Sequence, residues 1–302
     1  MTAAEQPDQS LRSGDQVLAR PARSQSKIVW DNFRRSKLAI AGGSIVLVLY
    51  LLAIFAPYLA PFDYAQLNPG QALRAPSSEH WLGTDRQTRD VLSRILVGSR
   101  VSLAVGFVAV AILMTIGVLF GALAGYFGGW IDNFFMRFVD IMLAIPQLLL
   151  LLLAVALFRP GLWTTMLVIG FTSWPPTARI VRGQFLSIKN QDFVLAARAS
   201  GAGAWRIMSR HLLPNALAII IVQATLWLSF AILLESSLSF LGLGVQPPDP
   251  TWGGMLADGR RNMREAWWLT TFPGVAIFIT VLAFNLLGDG LRDAFDPRMR
   301  RR

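Results

Sequence analysis

One carboxylate, Glu235, stands well inside a long apolar run. An ionisable group embedded in a membrane helix is a candidate for moving a proton, an ion or a polar solute. If the helix carrying it starts near Ala216, Glu235 lies about twenty residues along, close to one membrane face. There it would reach the interface or pair with an arginine from outside, which is the structural alternative. Little else in the chain offers chemistry. The sequence has no cysteine, which excludes disulfides, thiolate metal sites and a cysteine nucleophile. Its two histidines, His80 and His211, are far apart in sequence and do not suggest a metal cluster. No GxxxxGK[ST] phosphate loop, no GxSxG and no HExxH occurs. The chain is therefore expected to be no enzyme, to hold no metal or cofactor, and to bind no ATP by itself.

The elements that must position Glu235 are helices in lipid. Of the 302 residues, 54% are hydrophobic and 15% charged, against about 25% charged in an ordinary soluble domain. The mean hydropathy is +0.48. Six windows are free of charge or nearly so: Leu38–Phe62, Val101–Ile131, Ile141–Phe158 (its helix starting near Phe134), Pro160–Ala178, Leu212–Leu234 and Ala266–Gly288. Each approaches the roughly 20 apolar residues needed to cross a bilayer. Backbone polar groups cannot stay open in lipid, so the windows predict helices, and their unbroken apolar character argues against a β-barrel. The expected fold is an all-α membrane protein of about six transmembrane helices.

Orientation follows from lysine and arginine. With the N-terminus in the cytoplasm, nineteen basic residues fall inside and nine outside. This predicts a multi-pass protein of the cell membrane with both termini cytoplasmic. It also explains most of the net charge of +10 without a nucleic-acid partner.

Residues 1–25 are polar and aperiodic and read as a disordered tail, and 292–302 as a basic tail. Between them, 26–37 (SKIVWDNFRRSK) reads as an interfacial amphipathic helix or a basic flank anchoring the first span. Residues 38–291 form the transmembrane domain, with outer loops at 63–100 and 239–268. In the first loop, Thr84 or Asp85 could cap a short helix with Val91, Leu92, Ile95 and Leu96 along one side. Gly242, Gly244, Pro247, Pro248, Pro250, Gly253 and Gly254 forbid a long regular helix in the second. Trp252, Trp267 and Trp268 suit a membrane interface, and a long aromatic-bearing loop of this kind is commonly functional. Trp252 joins Glu235 as a candidate for a pathway or gate.

Inside the lipid, Gly117, Gly121 and Gly125 recur every four residues, which places them on one helix face where another backbone can approach. Pro175 and Pro176 must bend the fourth window or start a new helix. The largest cytoplasmic loop, 183–214, predicts a helix from Asp192 to Ser200, a turn at Gly201 and Gly203, and a second helix from Trp205 to Leu213. Trp205, Ile207, Met208 and Leu212 would form the apolar face of that second helix, and Pro214 would reset the chain before the fifth span. The hairpin is either a knob for docking into another protein or an amphipathic element lying on the membrane.

Ala196–Ala197, three residues, Gly201, nine residues, one position, one residue, then Leu213–Pro214 resembles the signature loop of ATP-binding-cassette importer permeases. Leu195 stands where that pattern has glutamate, and His211 where it has isoleucine. FRRSKLAIAG, HWLGTD with RDVLSRILVGSR, GYFGGWID and LSFLGLGVQPPDPTWGGML extend the resemblance to the C-type permease of dipeptide and oligopeptide importers. Nickel importers share much of this pattern. The resemblance implies an importer permease fold and coupling through Asp192, Ala196, Ala197, Gly201, Leu213 and Pro214. The implied partners are a second homologous permease, two ATPase subunits carrying ATP and Mg²⁺, and an external substrate-binding protein. An ion-coupled secondary transporter is the rival class. It would call for midplane ion ligands and an internal repeat, and Glu235 alone is too little for the first.

Overall fold

The computed structural model describes residues 25–295. The tail reading of 1–25 falls outside them except for Gln25, as does 296–302. The last helix runs on to Phe295, past residue 291. A single isolated bridge pairs Thr84 with Asp90; the regular elements among the described residues are otherwise helical.

α1 (Gln25–Arg35) is followed by Ser36, which caps α2 (Lys37–Leu59) by accepting a hydrogen bond from Ala39 N at 3.2 Å. α1 packs on α12 (Trp268–Phe295), with Asn32 Nδ2 donating to Ala294 O at 3.3 Å.

α3 (Val91–Phe127) is the mast of the molecule, about 55 Å long at 1.5 Å per residue. The short outer helix expected before the second span is its first three turns. Asp90, not Thr84 or Asp85, caps it by accepting from Ser93 N at 2.8 Å. No proline or cap interrupts the chain between Val91 and the apolar window, so one helix runs through both.

The third and fourth windows are each broken. α4 (Gly129–Ala144) meets α5 (Gln147–Leu157) at a 90° bend around Pro146. α6 (Leu162–Thr172) ends at Ser173, and α7 (Pro175–Ile188) begins with both prolines in its first turn, where their missing N–H groups cost nothing. Among the described residues, four helices have the length and apolarity of a full span, and the bent α4–α5 pair makes a fifth if it is taken as one span. The fourth window is divided between α6 and α7.

α8 (Asp192–Ala199) and α9 (Ala204–Ile207) form the hairpin. Pro214 does not reset the chain. A π turn, Met208–Leu212, leads directly into α10 (Leu213–Phe240), so Ala204–Phe240 runs as one 37-residue rod. Widening the turn absorbs the backbone donor that Pro214 lacks. α11 (Trp252–Arg260) is a nine-residue helix set against α10 and α12.

Candidate functional site

The two ends of α3 carry the two candidate regions. At its C-terminal end the helix lies against α7 through glycines. A Cβ on Gly117 would meet Thr177 at 2.7 Å, one on Gly121 would meet Ala178 O at 2.5 Å, and one on Gly125 would meet Phe185 at 2.7 Å. Arg182 fixes α7 to α4 by a two-pronged bond to Asp132, at 2.5 and 2.7 Å, and Arg179 pairs with Asp140. Lys189 Nζ donates to Gly125 O at 3.0 Å, a cation on the last turn of α3.

The hairpin stands on this platform. Val194, Ile207, Met208 and Leu212 bury themselves against Val181, Phe185 and Ile188. α8 then ends in a Schellman cap: Ala202 N donates to Ala197 O at 3.1 Å and Gly201 N to Arg198 O at 3.0 Å. Gly201 takes φ +81° with nothing within 4 Å of a would-be Cβ. The turn therefore asks for glycine because of its backbone angle, not because of crowding. Asp192, Ala196 and Pro214 are exposed, Ala197 and Leu213 half-buried. Trp205, expected on the apolar face of the second helix, is 67% exposed, and Phe193 and Leu195 are 39% and 45% exposed. α8 thus has one anchor, Val194, and presents apolar side chains outward.

The opposite end is closed. Trp252, expected at a membrane interface, is 1% exposed. Its N–H donates to Ser102 Oγ at 3.3 Å and its indole Nε1 to Ile95 O at 3.1 Å. Trp268 is likewise buried, with Nε1 donating to Thr84 O at 3.2 Å, whereas Trp267 is exposed. Each buried indole donates to a carbonyl within the chain, which outweighs the wet alternative.

Glu235 is fully buried beside Trp252. Ser239 donates to its Oε1 at 2.8 Å, while Ser102 and Ser236 approach Oε2 at 3.3 and 3.4 Å. Among the described residues it pairs with no arginine, one of the two structural alternatives suggested by the sequence. Hydroxyls from α3 and α10 satisfy it instead, and α11 joins the cluster through Thr251, which caps α11 on Gly254 N at 3.0 Å. In this conformation Glu235 and Trp252 are internal; they tie α11 to α3 and α10.

Sequence reasoning passed over a polar layer beside this cluster. His80 lies between Asp90, 2.9 Å from Nδ1, and Gln71, 2.6 Å from Nε2. Asp85 receives Arg89 Nε at 2.7 Å and Arg94 Nη1 at 2.6 Å. The signal was available as charged residues clustered just before an apolar window.

Membrane-length helices with a closed end and a presented hairpin define a multi-pass membrane protein. Residues 117–301 match the family described as binding-protein-dependent transport system inner membrane component, and 24–76 match the N-terminal transmembrane domain of oligopeptide transport permease C. The chain belongs to the family of binding-protein-dependent transport system inner membrane components. It is similar to the dipeptide transport system permease protein of Alkalihalophilus pseudofirmus, 47% identical over 90% of this chain and 89% of the relative. Similar too is the glutathione transport system permease protein of Pectobacterium atrosepticum, 45% identical over 90% of each. The oligopeptide transport system permease protein of Bacillus subtilis is 42% identical over 97% of this chain and 96% of its own length. A solved structure of a methionine ABC transporter, in inward-facing conformations, shares the fold with a TM-score of 0.56 at 23% identity, covering 66% of this chain and 94% of that one.

Proposed function

We propose that this chain is the permease subunit of an ATP-driven importer of short peptides and that the 192–214 loop couples it to ATPase subunits. A second, homologous permease would supply the other half of the pathway. ATP and Mg²⁺ would belong to two ATPase subunits, and an external binding protein would deliver the peptide. The relatives are named for dipeptides, glutathione and oligopeptides, which favours peptides over nickel or another small solute.

The carrying observation is the hairpin that leaves Phe193, Leu195 and Trp205 uncovered while its far side is anchored. An apolar surface of this kind, with arginines beside it, is what a partner would cover. Force applied to α8 has a route, because α9, the π turn and α10 are one continuous rod. A contact transmits energy when the element it moves has two arrangements, and a rod crossing the membrane provides a lever. The nineteen-to-nine bias in basic residues favours a cytoplasmic side for this end, both termini and α1, and an outer side for α11. There Glu235 and Trp252 would act as the fastening of an outer gate. The bend at Pro146 supports a second permease, since broken backbone at membrane depth needs protein or a water-filled cavity beside it.

The chain has no cysteine, so single cysteines report without background. Ala199→Cys in the assembled transporter should crosslink to the ATPase subunit, and proteoliposomes should accumulate dipeptide with ATP and without an ion gradient. Crosslinking of Ala199→Cys to outer partners, or uptake that follows an imposed ion gradient without ATP, would overturn the reading. Ser78→Cys should react with an impermeant thiol reagent in whole cells.

A further inference from the structure

The outer end holds a cavity of about 380 Å³ where the 85–94 segment meets α11 and the end of α10. Five arginines line it (Arg86, Arg89, Arg94, Arg260 and Arg261) against two aspartates, Asp85 and Asp258. Arg89 and Arg94 are buried and share Asp85. That carboxylate is fully engaged. One oxygen accepts from Gln87 N at 2.8 Å and Arg89 N at 2.9 Å, and the other takes both guanidinium groups.

Each guanidinium has five donors, and Asp85 uses one from each. The next carboxylate is Asp258, 3.9 Å from Arg89 Nη2 and 3.7 Å from Arg94 Nη2. These distances are beyond a good hydrogen bond, and the Asp258 side chain is 63% exposed. Two buried positive charges therefore meet one buried negative charge, and the balance is held loosely by a group that can swing into solvent. Arg260 adds a further charge, held over the Phe240 ring at 5.2 Å.

The geometry points to a carboxylate-binding site at this end, in which Arg89 and Arg94 receive the incoming anion and Asp258 is the built-in counter-ion it displaces. The buried Arg89–Arg94–Asp85 trio carries one surplus positive charge, which suits a monoanion, and paired guanidinium forks match a carboxylate's two oxygens. Phe240, Leu241, Met255 and Leu269 give the same cavity an apolar wall, so the anion can carry a side chain with it. Two sources fit this chemistry: the C-terminal carboxylate of a peptide, or an acidic side chain of an external protein docking on the transporter. The outer placement and the second source rest on the importer reading; binding of a free carboxylate does not.

The test uses the reconstituted complete transporter and the conservative variant Asp258→Asn, whose exposed side chain carries no packing. One arm titrates dialanine and dialanine amide; the other titrates the ligand-free external binding protein. Removing the competing carboxylate should tighten binding roughly two- to fivefold, the range of an exposed ion pair. Arg260→Gln should weaken the same binding. Tightening for dialanine but not its amide assigns the site to the peptide terminus. Tightening for the binding protein alone assigns it to a docked acidic side chain. If Asp258→Asn changes neither affinity while ATP-driven peptide uptake stays normal, the cluster is a structural ion network, the site is overturned and the importer reading stands.

Discussion

The two ends of α3 solve opposite problems with similar residue types. At the α11 end, Trp252 and Glu235 are buried and hydrogen-bonded to neighbours within the chain. A Cβ on Gly253 would lie 2.5 Å from Ser236 Cα and its carbonyl oxygen. At the α8 end, Trp205 is exposed and a Cβ on Gly201 would meet nothing within 4 Å. A tryptophan and a glycine thus make a sealed plug in one place and an open platform in the other. The lesson is thermodynamic: the plug is stabilised by this chain, whereas the platform's apolar surface finds no cover among the described residues. Substitutions at the plug should be read in stability, and substitutions at the platform in coupling.

Glu235→Ala should have the largest effect, because it leaves the surrounding hydroxyls without their acceptor and opens a cavity. A loss of about 2–5 kcal/mol is expected, seen as a lower thermal midpoint of the purified subunit in detergent. Glu235→Gln keeps the shape and an acceptor oxygen and should cost less than about 1.5 kcal/mol, with transport down only a few-fold. Complete loss of transport with a normal midpoint in Glu235→Gln would mean that the charge itself works in the pathway. Gly253→Ala comes next, at about 1–3 kcal/mol, since the obstacle is backbone that cannot move aside. An unchanged midpoint would show that α11 is not locked to α10, and the contrast between the ends would fail.

Gly201→Leu should cost about 1–2 kcal/mol, confined to the turn, from the left-handed backbone angle. The variant should reach the membrane and pack normally, yet lose substrate-stimulated ATP hydrolysis in the complete transporter. Normal hydrolysis and transport would remove the turn from the coupling path. Smallest in stability is Phe193→Ala, at under about 0.5 kcal/mol for an exposed position. Its expected signature is a weakened ATPase contact with an unaltered midpoint, and a drop in midpoint instead would place Phe193 in the core.

Helices, their number within a window or two, and the hairpin with its glycine turn follow from local information. Apolar runs of membrane length have few alternatives in lipid, and Gly201 after Asp192–Ser200 carries its own stop signal. The glycines at 117, 121 and 125 specify a shared face through the helical period alone. What they meet, Thr177, Ala178 and Phe185 on α7, depends on how α7 leaves the Pro175–Pro176 turn. The same holds for the breaks. Ile141–Phe158 reads as part of one span, and its 90° turn at Pro146 depends on what packs on both sides of it. Glu235 is the clearest case. Its depth along a helix could be counted from the chain, yet its partner could not. Ser102 lies 133 residues away, and Trp252 arrives by a loop whose glycines and prolines left its direction open. Long-range contacts of this kind cost chain entropy before they return any energy. They leave no periodic trace in the sequence, so burial of a charge or an indole emerges when distant elements close on it.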